Sequence, residues 1–206
     1  MTRPSNPKLS TTAIADTALK LVDAHGEFTL PQLAKELSVT ASSLYNHVDG
    51  KAEIIELMRG RAMSTISLPE AKSQDWQSTV RAIAIEYWRS YAQHPRLIPL
   101  LTSNTVRDRT TLRVYDALAE AFLTGGFQPA ERLRAITIID SFVLGSALDA
   151  AAPREVWEAD AESSPAFIEA LEAGLNECNR AESTFTHGLT FLLTCLAAES
   201  LHPTSK

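Results

Sequence analysis

The sequence predicts an all-α chain in which an N-terminal three-helix unit of helix-turn-helix spacing is joined through a fourth helix to a larger C-terminal helical domain. Three observations carry this. Apolar residues recur at helical spacing from Ser10 almost to the end of the chain, with no strand-period segment of useful length. Cap signals at Ser10, Thr29 and Thr40 open short helices in close succession. Residues 67–74 lose the periodicity and contain Pro69, dividing the chain into parts 1–66 and 67–206.

Ser10 caps a first amphipathic helix with Ile14, Ala18, Leu21 and Val22 on one stripe and Gly26 just past its end. Thr29 caps a second helix from Leu30 to Leu37. Pro31 fits its first turn, where the missing N–H has no intrahelical partner, and Leu30, Leu33, Ala34 and Leu37 form its buried side. Thr40 caps a third short helix through His47, and Asp49 opens a fourth that runs to about Ile66. Beyond the break, helices are predicted over 75–93, 95–103, 107–124, 129–151, 165–179 and 182–200, punctuated by His94–Pro95, Gly125–Gly126 and Ala152–Pro153. Pro153 to Ser164 is acidic and aperiodic, the composition of a mobile loop.

Residues 33–48 have the spacing of a helix-turn-helix. Ala34 is small where two helices cross, Leu37 and Val39 flank the turn, and Leu44 and Val48 anchor the second helix from below. Thr40, Ala41, Ser42, Ser43, Tyr45, Asn46 and His47 are small or polar and face outward. A major groove about 12 Å wide admits one such helix, and short side chains let its backbone approach the DNA.

The chain here resembles the tetracycline-repressor (TetR) family. The resemblance is specific over residues 9–62: a capped first helix ending at Gly26, then LeuAla-x-x-Leu-x-Val-x-x-x-x-LeuTyr-x-His from Leu33 to His47, then Lys51 and an apolar fourth helix. It continues more weakly through Asp75 and Trp76, His94–Pro95, Gly125 to Phe127, Phe142 to Gly145 and the final helix. It implies that Ala41, Ser42, Tyr45 and Asn46 read or approach bases, and that Thr29, Thr40, Tyr45, His47 and Lys51 grip phosphates. Hydroxyls and helix N-termini donate to phosphate oxygens without full charge, and Lys51 adds charge near the start of the fourth helix. Two positions depart from the family. Pro31 stands where an arginine often reaches a base, and Ser38 replaces the usual turn glycine, which suggests a slightly different turn.

Between Thr40 and His47 there is no Arg or Lys, so the bidentate arginine–guanine contact is missing from this helix. Asn46 suits adenine and Ala41 a thymine methyl, which points to half-sites contacted mainly at A·T pairs. Lys51 with Arg3 and Lys8 of the N-terminal arm gives roughly three cationic contacts per subunit, each contributing about -0.9 to the salt slope. The formal charge is -6, yet residues 1–66 hold seven basic and seven acidic residues, so the whole acidic excess follows residue 66.

The predicted helix over 129–151 is apolar on nearly every face between Ala135 and Leu148, as expected of a helix buried on several sides. Asp140 shares a stripe with Ile136 and Leu144, where a carboxylate is exposed at a packing gap, paired, or lining a cavity. The last helix carries one stripe of Phe185, Leu189, Leu192 and Leu196, and a second of Thr184, Gly188, Phe191 and Cys195. Two stripes need two partners: the chain's own core and, with Phe142 and Gly145 of the earlier helix, a second subunit. The competing arrangement is one large monomeric core. In a homodimer the two recognition helices fall about 34–36 Å apart, in successive major grooves. Tyr87, Trp88, Tyr91, His94, Asn104 and Asp140 are the candidate lining of a small-molecule effector pocket, and His94–Pro95 with Pro99 bracket a separately movable short helix.

Composition bounds the function. The hydrophobic fraction of 45% and charged fraction of 21% are those of a folded chain, and no apolar run reaches the length of a membrane span. The N-terminal segment lacks a secretion-signal core, and Cys178 and Cys195 lack metal or disulfide spacing, so a cytoplasmic chain with two thiols, no metal and no cofactor is expected. There is no Gly-rich phosphate loop, G-x-S-x-G or H-E-x-x-H, so no catalytic residue is assigned. The expected function is a repressor leaving a palindromic double-stranded operator when an effector binds. The alternative is a DNA-binding structural protein of the same fold with no effector.

Overall fold

The computed structural model describes residues 9–69, 75–153, 155–174 and 179–201; the arm residues Arg3 and Lys8, Cys178, and the tail of the helix expected to reach residue 179 lie outside them. The described residues form ten α-helices and no strand.

Helix α1 (Thr11–His25) begins where the Ser10 hydroxyl accepts the N–H of Ala13, and ends at Gly26 in the left-handed region. It buries Ile14, Ala15, Ala18, Leu19 and Val22. Leu19, not Leu21, completes the stripe, because the 15–18–19–22 spacing follows the helical turn more closely and leaves Leu21 half-buried. Helix α2 (Leu30–Glu36) opens on a reciprocal cap between Thr29 and Gln32. Helix α3 (Ala41–Tyr45) starts at Thr40, whose hydroxyl accepts the N–H of Ser43, and stops two residues short of His47. Helix α4 (Lys51–Met63) begins after Gly50 and ends before Ile66.

Helices α5 (Trp76–Ala92) and α7 (Arg109–Thr124) are capped by the carboxylates of Asp75 and Asp108. The single helix expected over 95–103 is instead a 3-10 turn, Pro95–Leu97, followed by one turn of α6 (Ile98–Leu101). Prolines at 95 and 99 remove the donors that a longer α-helix needs. Helix α8 (Pro129–Asp149) and helix α10 (Arg180–Leu201) pack on α5, and α9 (Pro165–Gly174) buries no residue.

One hydrophobic core runs from Ile14 of α1 to Leu196 of α10, with α4 lying between α1 on one side and α5, α6 and α7 on the other. In α10 the buried stripe is Phe185, Leu189, Leu193 and Leu196, so Leu193 takes the place expected of Leu192. The expectation that α8 is buried on several sides is not met within one chain. Only Ala135, Ile139, Val143 and Ala147 are buried, while Leu133 and Leu148 stand exposed. No helix among the described residues is long and apolar enough to cross a membrane.

Candidate functional site

The turn between α2 and α3 is built by the one non-glycine residue with positive φ among those described, Ser38 at 56°. The Val39 N–H bonds to the Ala34 carbonyl at 2.9 Å and the Ser38 N–H to that of Lys35 at 3.0 Å. This pair of bonds closes a helix with a left-handed residue just beyond its C-cap. Ser38 therefore adopts the conformation a glycine would supply, and the different turn expected from its side chain is not formed.

Leu44 and Val48 are buried beneath α3, with Leu33 and Ala34 of α2 beside them. Pinned from below, α3 leaves Ala41, Ser42, Tyr45 and Asn46 exposed together with Thr40 and His47. The Tyr45 side chain is 57% exposed, unusual for an aromatic without a partner to cover it. Thr29 and Thr40 also stand at the surface, each at a helix N-terminus whose free N–H groups favour anions. The Lys51 ammonium lies 5.1 Å from the centre of the buried Phe28 ring, a cation–π contact that holds it at the edge of the same surface. All eight residues expected at this surface are thus exposed within one short stretch of chain.

In the C-terminal half, Tyr87 of α5, Tyr115 of α7 and Asp140 of α8 converge. Tyr87 and Tyr115 donate to the same carboxylate oxygen of Asp140 at 2.5 and 2.7 Å. Asp140 is half-buried and paired with phenols. Burial raises all three phenols, Tyr87, Tyr91 and Tyr115, above the usual tyrosine range, and the nearby Asp140 charge adds to the effect. Tyr91 packs on Tyr87 at 5.3 Å between ring centres, and Trp88 stacks on Phe185 at 4.9 Å. Among the described residues, the Trp88 Nε1 and Tyr91 Oη atoms are buried with no hydrogen-bond partner. Three of the six expected pocket residues, Tyr87, Tyr91 and Asp140, therefore share one region, while Trp88 packs against Phe185 of α10.

The other two belong to the seam between the N- and C-terminal parts. His94 Nδ1 lies 2.9 Å from Asp23 of α1, and Arg96 donates to the Asp23 and Ala24 carbonyls at the end of that helix. Asn104 donates to the Leu100 carbonyl, and its own carbonyl accepts from Arg59 of α4 at 3.3 Å. Arg59, 4% exposed, also donates to Glu56 at 2.8 Å and to the Leu101 carbonyl at 3.1 Å. The second oxygen of Glu56 accepts the N–H groups of Arg107 and Asp108 at 2.6 and 3.0 Å. Burial pushes the Glu56 carboxyl upward, but those N–H groups and Arg59 outweigh it, and the net shift is downward. Gly60 completes the seam, because a Cβ there would collide with the Asp108 carboxylate.

Sequence reasoning missed Glu56, Arg59, Tyr115 and Asp23. Only the three-residue spacing of Glu56 and Arg59 hinted at any of them.

The expected dimer-face residues divide. Gly145, Thr184, Phe191 and Cys195 are exposed, with Phe191 at 70%. Gly188 packs instead within the chain: a Cβ there would lie 2.6 Å from Cζ of Phe142, which itself stacks on Phe185.

Residues 68–199 match the family described as tetracyclin repressor-like, C-terminal domain. The chain is 27% identical over 151 residues to the HTH-type transcriptional repressor DrrR1 of Streptomyces coeruleorubidus, a match covering 70% of this chain and 56% of that repressor. The chain thus spans little more than half the length of this relative. Its fold is shared with a TetR transcriptional regulator from Streptomyces coelicolor, at TM-score 0.71 and 26% identity over 92% of this chain and 98% of the other. The fold is also that of the TetR family protein ActR of the same organism, solved with actinorhodin, at TM-score 0.77 and 19% identity over 93% and 96% of the two chains. With a family match that extends over more than half its length, the chain belongs to the tetracycline-repressor-like family.

Proposed function

We propose that the chain is a ligand-responsive, DNA-binding transcriptional regulator, a homodimeric repressor that leaves a palindromic operator when a small molecule binds its C-terminal part. The observation that carries this reading is the exposed, small and polar face of α3, held by buried Leu44 and Val48 beneath it. In this reading residues 1–66 bind DNA and residues 67–206 bind effector and partner. Ala41, Ser42, Tyr45 and Asn46 read bases, and Thr29, Thr40, Tyr45, His47 and Lys51 hold phosphates. The chain acts without catalysis, in the cytoplasm.

Effector control is favoured over a purely structural DNA-binding role by one observation. Buried donors without partners at Trp88 and Tyr91 are costly unless something accepts from them. Tyr87, Trp88, Tyr91 and Asp140 are the proposed effector contacts, while His94 and Asn104 transmit the change across the seam. Gly145, Thr184, Phe191 and Cys195 form the dimer face, with Phe142 and Gly188 shaping it from behind.

Selection of operators from random duplex DNA tests the DNA reading. A palindrome with A·T pairs under α3 is expected, and a G·C-only consensus there contradicts it. A thermal-shift screen of small aromatic compounds tests the effector reading, with release of the selected operator by any hit as the required second result.

A further inference from the structure

The turn that opens α2 fixes the direction of one side-chain amide. The Gln32 side chain folds back over Thr29, where one of its polar atoms meets the Thr29 N–H at 3.0 Å and the Thr29 hydroxyl at 2.9 Å. A backbone N–H can only donate, so the atom facing it is the amide oxygen. The Thr29 hydroxyl accepts the Gln32 backbone N–H at 3.3 Å and gives its own proton to that same amide oxygen. It has no second proton to offer an anion. The Gln32 NH2 group, on the other arm of the planar amide, keeps its donors, and among the described residues it forms no hydrogen bond. Gln32 itself is exposed.

The backbone at this point is already engaged. Pro31 has no N–H, the Gln32 N–H goes to Thr29 Oγ1, and the Leu33 N–H goes to the Thr29 carbonyl. Phe28 stands one residue before the cap with its ring 5.1 Å from the Lys51 ammonium, so the start of α2 borders the start of α4. The free amide donors of Gln32 therefore share an edge of the exposed surface with the charge of Lys51.

From this geometry we propose that Gln32 is a phosphate-binding residue and that Thr29 is a positioning residue acting through it, an inference that rests on the DNA-binding reading above. A phosphodiester oxygen accepts from Gln32 Nε2, and the contact placed at Thr29 is made by the neighbouring amide. With its oxygen occupied, this amide offers donors alone, so it cannot form the donor–acceptor pair by which a glutamine selects adenine. A phosphate contact fixes register without choosing a sequence, and a neutral donor leaves the salt slope unchanged.

The test uses the full-length chain and the duplex operator it selects, with affinity measured across a salt series and across single-base variants. Gln32→Ala lowers affinity about tenfold, roughly threefold at each of two half-sites, through the loss of one hydrogen bond apiece. The loss is equal for every base variant, and the slope of log affinity on log salt does not change. Thr29→Val also weakens binding, but the Thr29→Val/Gln32→Ala pair binds no worse than Gln32→Ala alone. Gln32→Glu retains the oxygen that closes the cap, so its thermal midpoint stays within about 1 °C of the unaltered chain. Its operator affinity nonetheless falls about tenfold or more, and the deficit persists at high salt, where charge repulsion is screened.

Three results would overturn the proposal. Gln32→Ala binding within about twofold of the unaltered chain removes the contact. A loss confined to one base pair makes Gln32 a base reader, and a further loss on adding Thr29→Val returns the phosphate to the threonine. In all three cases operator binding itself stands, whereas an unaltered chain that selects no operator ends the regulator reading and this assignment with it.

Discussion

Replacing Glu56 by alanine is the sharpest test of how the two halves are joined. The carboxylate serves three donors at once: the Arg59 guanidinium and the backbone N–H groups of Arg107 and Asp108. Arg59 is 4% exposed and Glu56 14%, so the pair is largely removed from water. Breaking a buried ion pair by deleting one partner costs about 3–5 kcal/mol. Arg59 keeps the Leu101 and Asn104 carbonyls as acceptors, which places Glu56→Ala near the low end, at about 3 kcal/mol. For a chain of this size, that lowers the thermal midpoint by about 6–12 °C. The assay is thermal and urea unfolding of the variant beside Arg59→Met and the Glu56→Leu/Arg59→Met double variant, which recovers much of the loss by removing both charges. A loss below about 1 kcal/mol for Glu56→Ala, or a double variant no better than the single, would refute the claim that this carboxylate holds α4 to the α6–α7 connection.

Three further outcomes are expected. Ser38→Gly stabilises the chain by about 1 kcal/mol, because it relieves a left-handed residue without altering the hydrogen bonds that close α2, and chemical denaturation reads the gain. Asn46→Ala weakens binding to the selected operator by about 1–3 kcal/mol and relaxes preference at one base position, while leaving the unfolding midpoint within about 1 °C, as a gel-shift series with single-base variants will report. Glu56 also sets a pH dependence. Its folded pKa lies below its ordinary 4.5, so its contribution is fully present above that value and is lost as pH falls below it, through the folded pKa. Stability measured against pH should therefore show a smaller acid-side decline in Glu56→Gln than in the unaltered chain.

The parts legible in the sequence are those made by neighbours. Caps at Ser10, Thr29 and Thr40 act within three residues, and Leu44 and Val48 lie one helical turn apart, so residue type and spacing suffice to place α3 and its outward face. Contacts between distant residues leave no such trace. Glu56 finds its partners 51 and 52 positions away, Asp23 finds His94 at 71, and the phenols that meet Asp140 come from 53 and 25 positions earlier. Adjacent leucines at 192 and 193 fit the helical period almost equally well, and only packing against α5 and α8 selects the second. Apolar composition also says how much of α8 avoids water but not what covers it. Leu148, at the end of the stretch expected to be buried on several sides, therefore stands exposed in the single chain. At Ser38 the backbone kept the geometry of a glycine turn without the glycine, which residue type alone does not reveal.

If α3 and Lys51 contact DNA as proposed, the Lys51–Phe28 contact bears on how a surface with so few cations binds. A surface lysine normally samples many rotamers, and immobilising it on a phosphate costs up to about 2 kcal/mol. With its ammonium already held 5.1 Å from a buried ring, Lys51 undergoes most of that loss when the chain folds. An arriving anion then meets a charge fixed in direction as well as in position. Exchanging Phe28 for an aliphatic residue would leave the net charge untouched while returning that lysine to disorder, making the ring beneath it as much a determinant of affinity as the charge above.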